Sequence, residues 1–222
     1  MSETTQEIIE RVGLIPVLRA RSSGQAHAIV QAMLAGGVTV VEVTMTVPGA
    51  VDLIKELKQV YFGELLLGSG TVTTADEAQA TIDAGAEFVV SPSLHPDVIS
   101  VTKKNGKLSI PGALTPTEVI TAWRAGSDFV KIFPCGTVGG AKYIKALKAP
   151  LPQVPMVPTG GVTLETAADF LRAGADALGI GGELISAAAL KSGNVNAITD
   201  AAQQYVAIVR RARQDMASPV PS

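Results

Sequence analysis

The chain has 222 residues, 47% of them hydrophobic but only 4% aromatic, with 22 Gly and a formal net charge of −2. That balance excludes a global basic field that would draw in nucleic acid or an anionic membrane, and the length suits one α/β barrel better than a small domain. A single cysteine, Cys135, excludes an intrachain disulfide and a cysteine metal cluster, and no apolar stretch reaches roughly 18 residues without a Gly, Pro or charge, so no membrane span is expected.

The first residues, from Met1 to Glu7, are polar and acidic, unlike a signal peptide, and predict an intracellular, cytoplasmic protein. Residues 5–12 then predict a short capping helix at the N-terminus. Strands are expected at 14–18, 38–43, 65–68, 88–91, 108–111, 129–133, 154–158 and 177–180, each a short apolar run rich in Val and Ile. Helices are expected between them at 24–35, 49–60, 75–84, 96–104, 116–125, 140–147 and 164–173, with a last one near 197–216. The tail from 217 to 222 is expected to fray.

Strands alternating with helices predict a parallel sheet, and continuously apolar strands predict burial on both faces. A helix-ending Gly recurs before the next strand in Ala35-Gly36-Gly37-Val38, Ala84-Gly85-Ala86-Glu87, Ala125-Gly126-Ser127-Asp128 and Ala173-Gly174-Ala175-Asp176. No Gly-x-Gly-x-x-Gly follows the first strand, so a doubly wound dinucleotide fold is disfavoured. The expectation is an α/β fold: a single (β/α)8 TIM barrel occupying the whole of residues 1–222, with no linker or second domain.

Lys131 carries the most chemical information. It lies in Asp128-Phe129-Val130-Lys131-Ile132-Phe133-Pro134, inside an apolar strand. A buried ammonium must be desolvated, paired or employed, and desolvation makes a neutral nucleophilic amine available near pH 7. Schiff-base chemistry on a carbonyl follows; a lysine snorkelling from the strand's end is the other reading.

A barrel's active site lies at the carboxyl ends of its strands. Glu42 on the second strand would share that cavity and shuttle protons in imine formation. The same two groups also fit a buried structural ion pair. Arg19, after the first strand, offers a planar fork for a substrate carboxylate, or else an ordinary surface salt bridge. Thr71, after the third strand, adds a hydroxyl to that carboxylate. Pro92 and Phe133, ending the fourth and sixth strands, complete the expected substrate-binding set. Thr159, Gly160 and Gly161 close strand seven, and Gly181 and Gly182 close strand eight, where barrels hold phosphate on backbone N–H groups; tight turns are the alternative. Glu183 is an awkward neighbour for a dianion. Cys135, His27 and His95 form no convincing triad, and Trp123 and Tyr143 read as packing or subunit-contact residues. No metal site and no cofactor are expected.

The strand-end motifs together resemble a family. They are Pro16-Val17-Leu18-Arg19-Ala20, Glu42-Val43-Thr44-Met45-Thr46-Val47-Pro48, Gly68-Ser69-Gly70-Thr71-Val72, Gly85-Ala86-Glu87-Phe88-Val89-Val90-Ser91-Pro92, Pro111-Gly112-Ala113-Leu114-Thr115-Pro116-Thr117-Glu118, Lys131-Ile132-Phe133-Pro134 and Pro158-Thr159-Gly160-Gly161-Val162. In order and in combination they are similar to the bacterial 2-keto-3-deoxy-6-phosphogluconate aldolase / 4-hydroxy-2-oxoglutarate aldolase family of class I pyruvate aldolases. The resemblance implies that Lys131 forms the imine, Glu42 is the general acid and base, and Arg19 and Thr71 hold the carboxylate. Some members take that arginine from the loop after strand two; here the loop offers Thr44, Met45 and Thr46, so Arg19 inherits the role. The resemblance further implies a homotrimer acting on small 2-keto acids and aldehydes; no nucleic acid or membrane partner is expected from the charge and hydropathy. It also implies carbohydrate metabolism of the Entner-Doudoroff type. The chain departs at Gly182-Glu183, where many members have a serine and an apolar residue. Alternatives left open are oxaloacetate decarboxylation through the same imine, a non-covalent phosphate-binding isomerase or synthase, and a non-catalytic scaffold.

Overall fold

A computed structural model describes residues 3–218. Its elements follow in chain order: α1 (Thr5–Val12), β1 (Leu14–Leu18), α2 (Ser23–Ala35), β2 (Val40–Thr44), α3 (Ala50–Val60), β3 (Leu66–Gly70), α4 (Ala75–Asp83), β4 (Phe88–Val90), α5 (Pro96–Lys104), β5 (Leu108–Ile110), β6 (Gly112–Ala113), α6 (Pro116–Arg124), β7 (Val130–Ile132), α7 (Ala141–Lys148), β8 (Met156–Pro158), α8 (Ala167–Arg172), β9 (Leu178–Ile180), α9 (Ala187–Ser192) and α10 (Val195–Ala217). A 3₁₀ turn spans Gly136–Val138.

All strand pairs are parallel. Six strands form one arc in the order β5-β4-β3-β2-β1-β9, and β6-β7-β8 form a second. The two arcs meet at Pro111, which lacks an N–H and so interrupts the ladder, splitting the strand expected at 108–111 into β5 and β6. The Pro111 carbonyl still accepts from Lys131 N at 2.9 Å, so backbone pairing continues past the break. On the other side the bridge Thr159–Gly179 and the bond from Asp176 N to Met156 O, 3.0 Å, join β8 to β9. The arcs thus close into a (β/α)8 barrel.

Alternation along each strand sorts the side chains. Ile15, Val40, Phe88, Val90, Leu108, Ile110, Phe129 and Val157 pack inside the barrel, and Ile9 of α1 joins them from below. That contact makes α1 the cap expected from residues 5–12. The outward set, including Leu14, Leu18, Val41, Val43 and Leu67, packs against the helices. Thr4, Thr74 and Thr115 each complete a capping box with a Glu three residues on.

Several boundaries differ from expectation for local reasons. Strand two starts at Val40, because Val38 N still donates to Met33 O in the helix-ending turn. Strand three runs on to Gly70, which pairs with Thr44. Helix α8 starts at Ala167 because residues 163–166 form a turn closed by the Thr163 and Thr166 hydroxyls. Helix α9, unforeseen, is capped by Ser186 and ended by Gly193 with φ 69°. Helix α10 continues through Ala217, where fraying was expected, and residues 219–222 lie outside the described residues.

Inside the barrel a Cβ on Gly68 would strike the Phe88 ring, whereas a Cβ on Gly24 in α2 meets nothing. Gly68→Ala is expected to lower unfolding free energy by roughly 1–3 kcal/mol. Gly24→Ala should be neutral or stabilising by up to about 1 kcal/mol. Urea denaturation checks both, and equal effects would contradict this packing.

Candidate active site

Strand parity brings the two central groups together. Lys131 is two residues from inward Phe129, and Glu42 two from inward Val40, so both point into the barrel one layer above the apolar plug. Lys131 is 7% exposed and Glu42 2%. Lys131 Nζ lies 3.8 Å from Glu42 Oε1. That is close enough for strong Coulomb attraction but too long for a hydrogen bond. Glu42 Oε1 is buried with no hydrogen-bond partner.

A pair built for structure would close up and satisfy its lone pairs, as the Lys58–Glu87 and Lys107–Glu87 bridges do at 2.8 Å. The buried pair does neither, so the structural reading of Glu42 and Lys131 fits poorly. Burial raises the Glu42 carboxyl above its ordinary value; Lys131, then Arg19, partly oppose that rise. A carboxyl raised in this way holds a proton more readily than an exposed glutamate and can act as a general acid as well as a base.

Glycine makes the room. A Cβ on Gly70 would overlap the Glu42 carboxylate, so β3 must carry glycine there for Glu42 to fit. A Cβ on Gly179 would likewise overlap the Thr159 hydroxyl. Neither glycine was assigned a role from the sequence. The available signal was glycine at inward positions of otherwise apolar strands.

A cavity of about 450 Å³ opens above the pair. Arg19, Thr71, Pro92, Phe133, Thr159, Gly160, Gly161, Gly181 and Gly182 all line it, so every residue expected from the sequence converges here. Thr71 is the one non-glycine residue at positive φ, 58°, among the described residues. Such a strained conformation costs about 1–3 kcal/mol and persists where the surroundings impose it. Phe133 is 38% exposed and covers the lysine, its ring centroid 5.4 Å from Nζ. Arg19 is exposed at the end of β1 and makes no salt bridge among the described residues, so the surface-bridge reading finds no partner. Thr46 lines the cavity too, while Thr44 is buried and bonds Thr46 Oγ1 at 2.7 Å. Glu183 stands exposed on the same wall as Gly181 and Gly182.

The other candidates lie elsewhere. Burial pushes the Cys135 thiol up to about 11, which removes it as a nucleophile near neutral pH. His27 bonds Tyr61 and Glu56 on the helical shell. His95 caps α5 and bonds Ser93. Trp123 packs on the core, and the Tyr143 hydroxyl donates to Leu114 O.

A barrel holding a buried amine beside an unpartnered carboxyl at its carboxyl-terminal mouth defines a class: lysine-dependent lyases of carbonyl substrates. The comparison with known proteins gives the family. The profile "Aldolase: KDPG and KHG aldolase" matches residues 5–201, and the chain belongs to that family. It is 35% identical over 207 residues to a 2-dehydro-3-deoxy-phosphogluconate aldolase of Treponema pallidum, covering 93% of this chain and 98% of the relative. A KDPG aldolase from Legionella pneumophila, solved with pyruvate captured as a covalent carbinolamine intermediate, superposes with a TM-score of 0.83 at 28% identity. The match covers 89% of this chain and 96% of that one. A designed cage that fuses symmetric oligomeric domains contains a similar unit, with a TM-score of 0.85 at 31% identity over 92% of this chain and 74% of that one.

The orphaned carboxyl has a pH signature. The folded state holds the Glu42 proton above the ordinary value of 4.5, so Glu42 lowers stability as pH rises from there through the raised folded value. Glu42→Gln removes that component. The difference in unfolding free energy, variant minus parent, is expected to grow as pH rises through this window. Urea titrations at several pH values check it, and a pH-independent difference would contradict the orphaned carboxyl.

Proposed function

We propose that this chain is a class I aldolase that reversibly cleaves 2-keto-3-deoxy-6-phosphogluconate, 4-hydroxy-2-oxoglutarate, or both. The products would be pyruvate and an aldehyde, glyceraldehyde 3-phosphate or glyoxylate. The observation that carries this reading is the 3.8 Å approach of Lys131 Nζ to a Glu42 oxygen that has no other partner.

The chemistry uses these groups in turn. The neutral Lys131 amine attacks the C2 carbonyl to give a carbinolamine. Glu42 donates a proton to the departing hydroxyl, and water leaves to form the iminium. The Glu42 carboxylate then takes the proton of the C4 hydroxyl. The C3–C4 bond breaks, its electron pair flowing to the iminium nitrogen, and the aldehyde departs from an enamine. Glu42 returns the proton to C3, and water hydrolyses the pyruvate imine to free the lysine. One carboxyl serves every proton transfer, which suits a group whose proton burial helps to retain. Arg19 and Thr71 hold the carboxylate, and Phe133 and Pro92 wall the reacting carbons.

The resemblance and the oligomeric cage support a homotrimer. Kinship with small-molecule aldolases supports a cytoplasmic location. The single-domain reading of the whole chain stands with these as part of the proposal.

Sodium borohydride with pyruvate tests the mechanism. One reduced pyruvate unit is expected on Lys131, located by peptide mass spectrometry, and none on Lys131→Met. Cleavage activity without trapping would favour a non-covalent mechanism. Glu42→Gln is expected to lower kcat by about 10²–10⁴-fold while Lys131 remains in place; a change under threefold in steady-state assays would remove Glu42 from proton transfer.

A further inference from the structure

Phe133 stands two residues beyond Lys131. Its N–H donates to Ala113 O at 3.1 Å, so the β7 ladder continues past Ile132 and alternation turns the ring inwards, one layer nearer the mouth. Lys131 Nζ lies over this ring, 5.4 Å from its centroid. A cation is attracted to an aromatic face within about 6 Å, because the ring quadrupole places negative potential there. Packing does not account for the position. The ring is 38% exposed and, among the described residues, joins none of the apolar core clusters.

The charge on this nitrogen changes during the reaction. It is neutral as amine and carbinolamine, positive as iminium, and neutral again as enamine. The other titratable groups lining its cavity are Glu42 from β2, Arg19 after β1 and Glu183 after β9. Glu42 is no constant counter-charge, since it gains and loses its proton in step with the nitrogen. Arg19 has the wrong sign, and Glu183 stands exposed on the wall of Gly181 and Gly182. A second carboxylate against Nζ would hold the lysine as ammonium and remove the nucleophile. An aromatic face attracts a cation yet binds no proton, so it does not compete for the proton that Glu42 moves.

We propose that Phe133 is a further catalytic residue, whose π face stabilises the positive charge on Lys131 nitrogen in the iminium. The ring itself forms no bond. The N–C2 bond forms, the C2 hydroxyl leaves as water with the Glu42 proton, and the ring steadies the charge left on nitrogen. It also attracts the ammonium of the resting protein, so its benefit is felt where that lysine is neutral, at pH above its titration. The proposal rests on the aldolase reading.

Fluorinated phenylalanines at position 133 of the full chain test it. Mono-, di- and trifluorophenylalanine weaken the negative face stepwise with little change of shape. Cyanoborohydride with pyruvate, read by mass spectrometry, gives the pyruvate concentration for half-maximal trapping on Lys131 at each pH. Above the pH at which Lys131 titrates, that concentration is expected to rise with each fluorine, by about threefold or more across the series. The pH midpoint of trapping is expected to fall in the same order, and the fluorine effect to shrink below it. A series that stays within threefold, follows no order in fluorine number, or leaves the midpoint unmoved would overturn the proposal. That holds even if Phe133→Leu weakens trapping, because leucine changes shape as well as electrostatics. A flat series with trapping retained removes the role of the ring alone, whereas no trapping in the parent protein removes the aldolase reading and the ring's role with it.

Discussion

Two ionisable groups of opposite sign sit 3.8 Å apart inside a barrel, and neither closes the gap. That arrangement is the constraint on which the rest of the structure depends. A buried carboxylate without a hydrogen bond is unfavourable by about 1–3 kcal/mol or more, and a relaxed pair would contract to recover it. Here the strands set the Cα positions from which the two side chains reach towards each other. Glu42 is fixed by β2 between β1 and β3, and Lys131 by β7 between β6 and β8. Polar pairing between the two groups is incomplete, and on the proposed aldolase reading a bound keto acid would supply the missing partners.

The fold supplies this geometry through simple rules. Alternation places inward residues in layers, with an apolar plug below and the reactive layer above. Helix α1 seals the lower end with Ile9, so the amine and carboxyl meet solvent only from the mouth. Gly70 yields its volume to Glu42, and Gly179 yields to Thr159, so small inward residues on two strands set the positions of larger ones on their neighbours. A glycine here acts as a spacer, and its loss would act on chemistry through sterics.

Much of this was legible in the amino-acid order. A lysine and a glutamate inside apolar strands announce themselves, because the alternation that buries their neighbours buries them as well. Convergence of Arg19, Thr71, Phe133 and Thr159 followed once eight strands were counted. The distance between Lys131 and Glu42 was not legible, because it depends on register and strand tilt at ångström scale. Pro111 was visible, but its effect on the ladder was not: it removes one donor while its carbonyl still serves Lys131. Helix α9 is six residues long, too short to show a period, although Ser186 and Gly193 bracketed it. The role of Gly70 needed a neighbour's side chain in place.

Crystals of the protein soaked in pyruvate test the central claim most directly. The account predicts a covalent bond from Lys131 Nζ to C2 of the keto acid, with a Glu42 oxygen within hydrogen-bond distance of the new centre. Pyruvate bound in the cavity with Lys131 left unbonded, or Glu42 turned away from the reacting carbon, would contradict it.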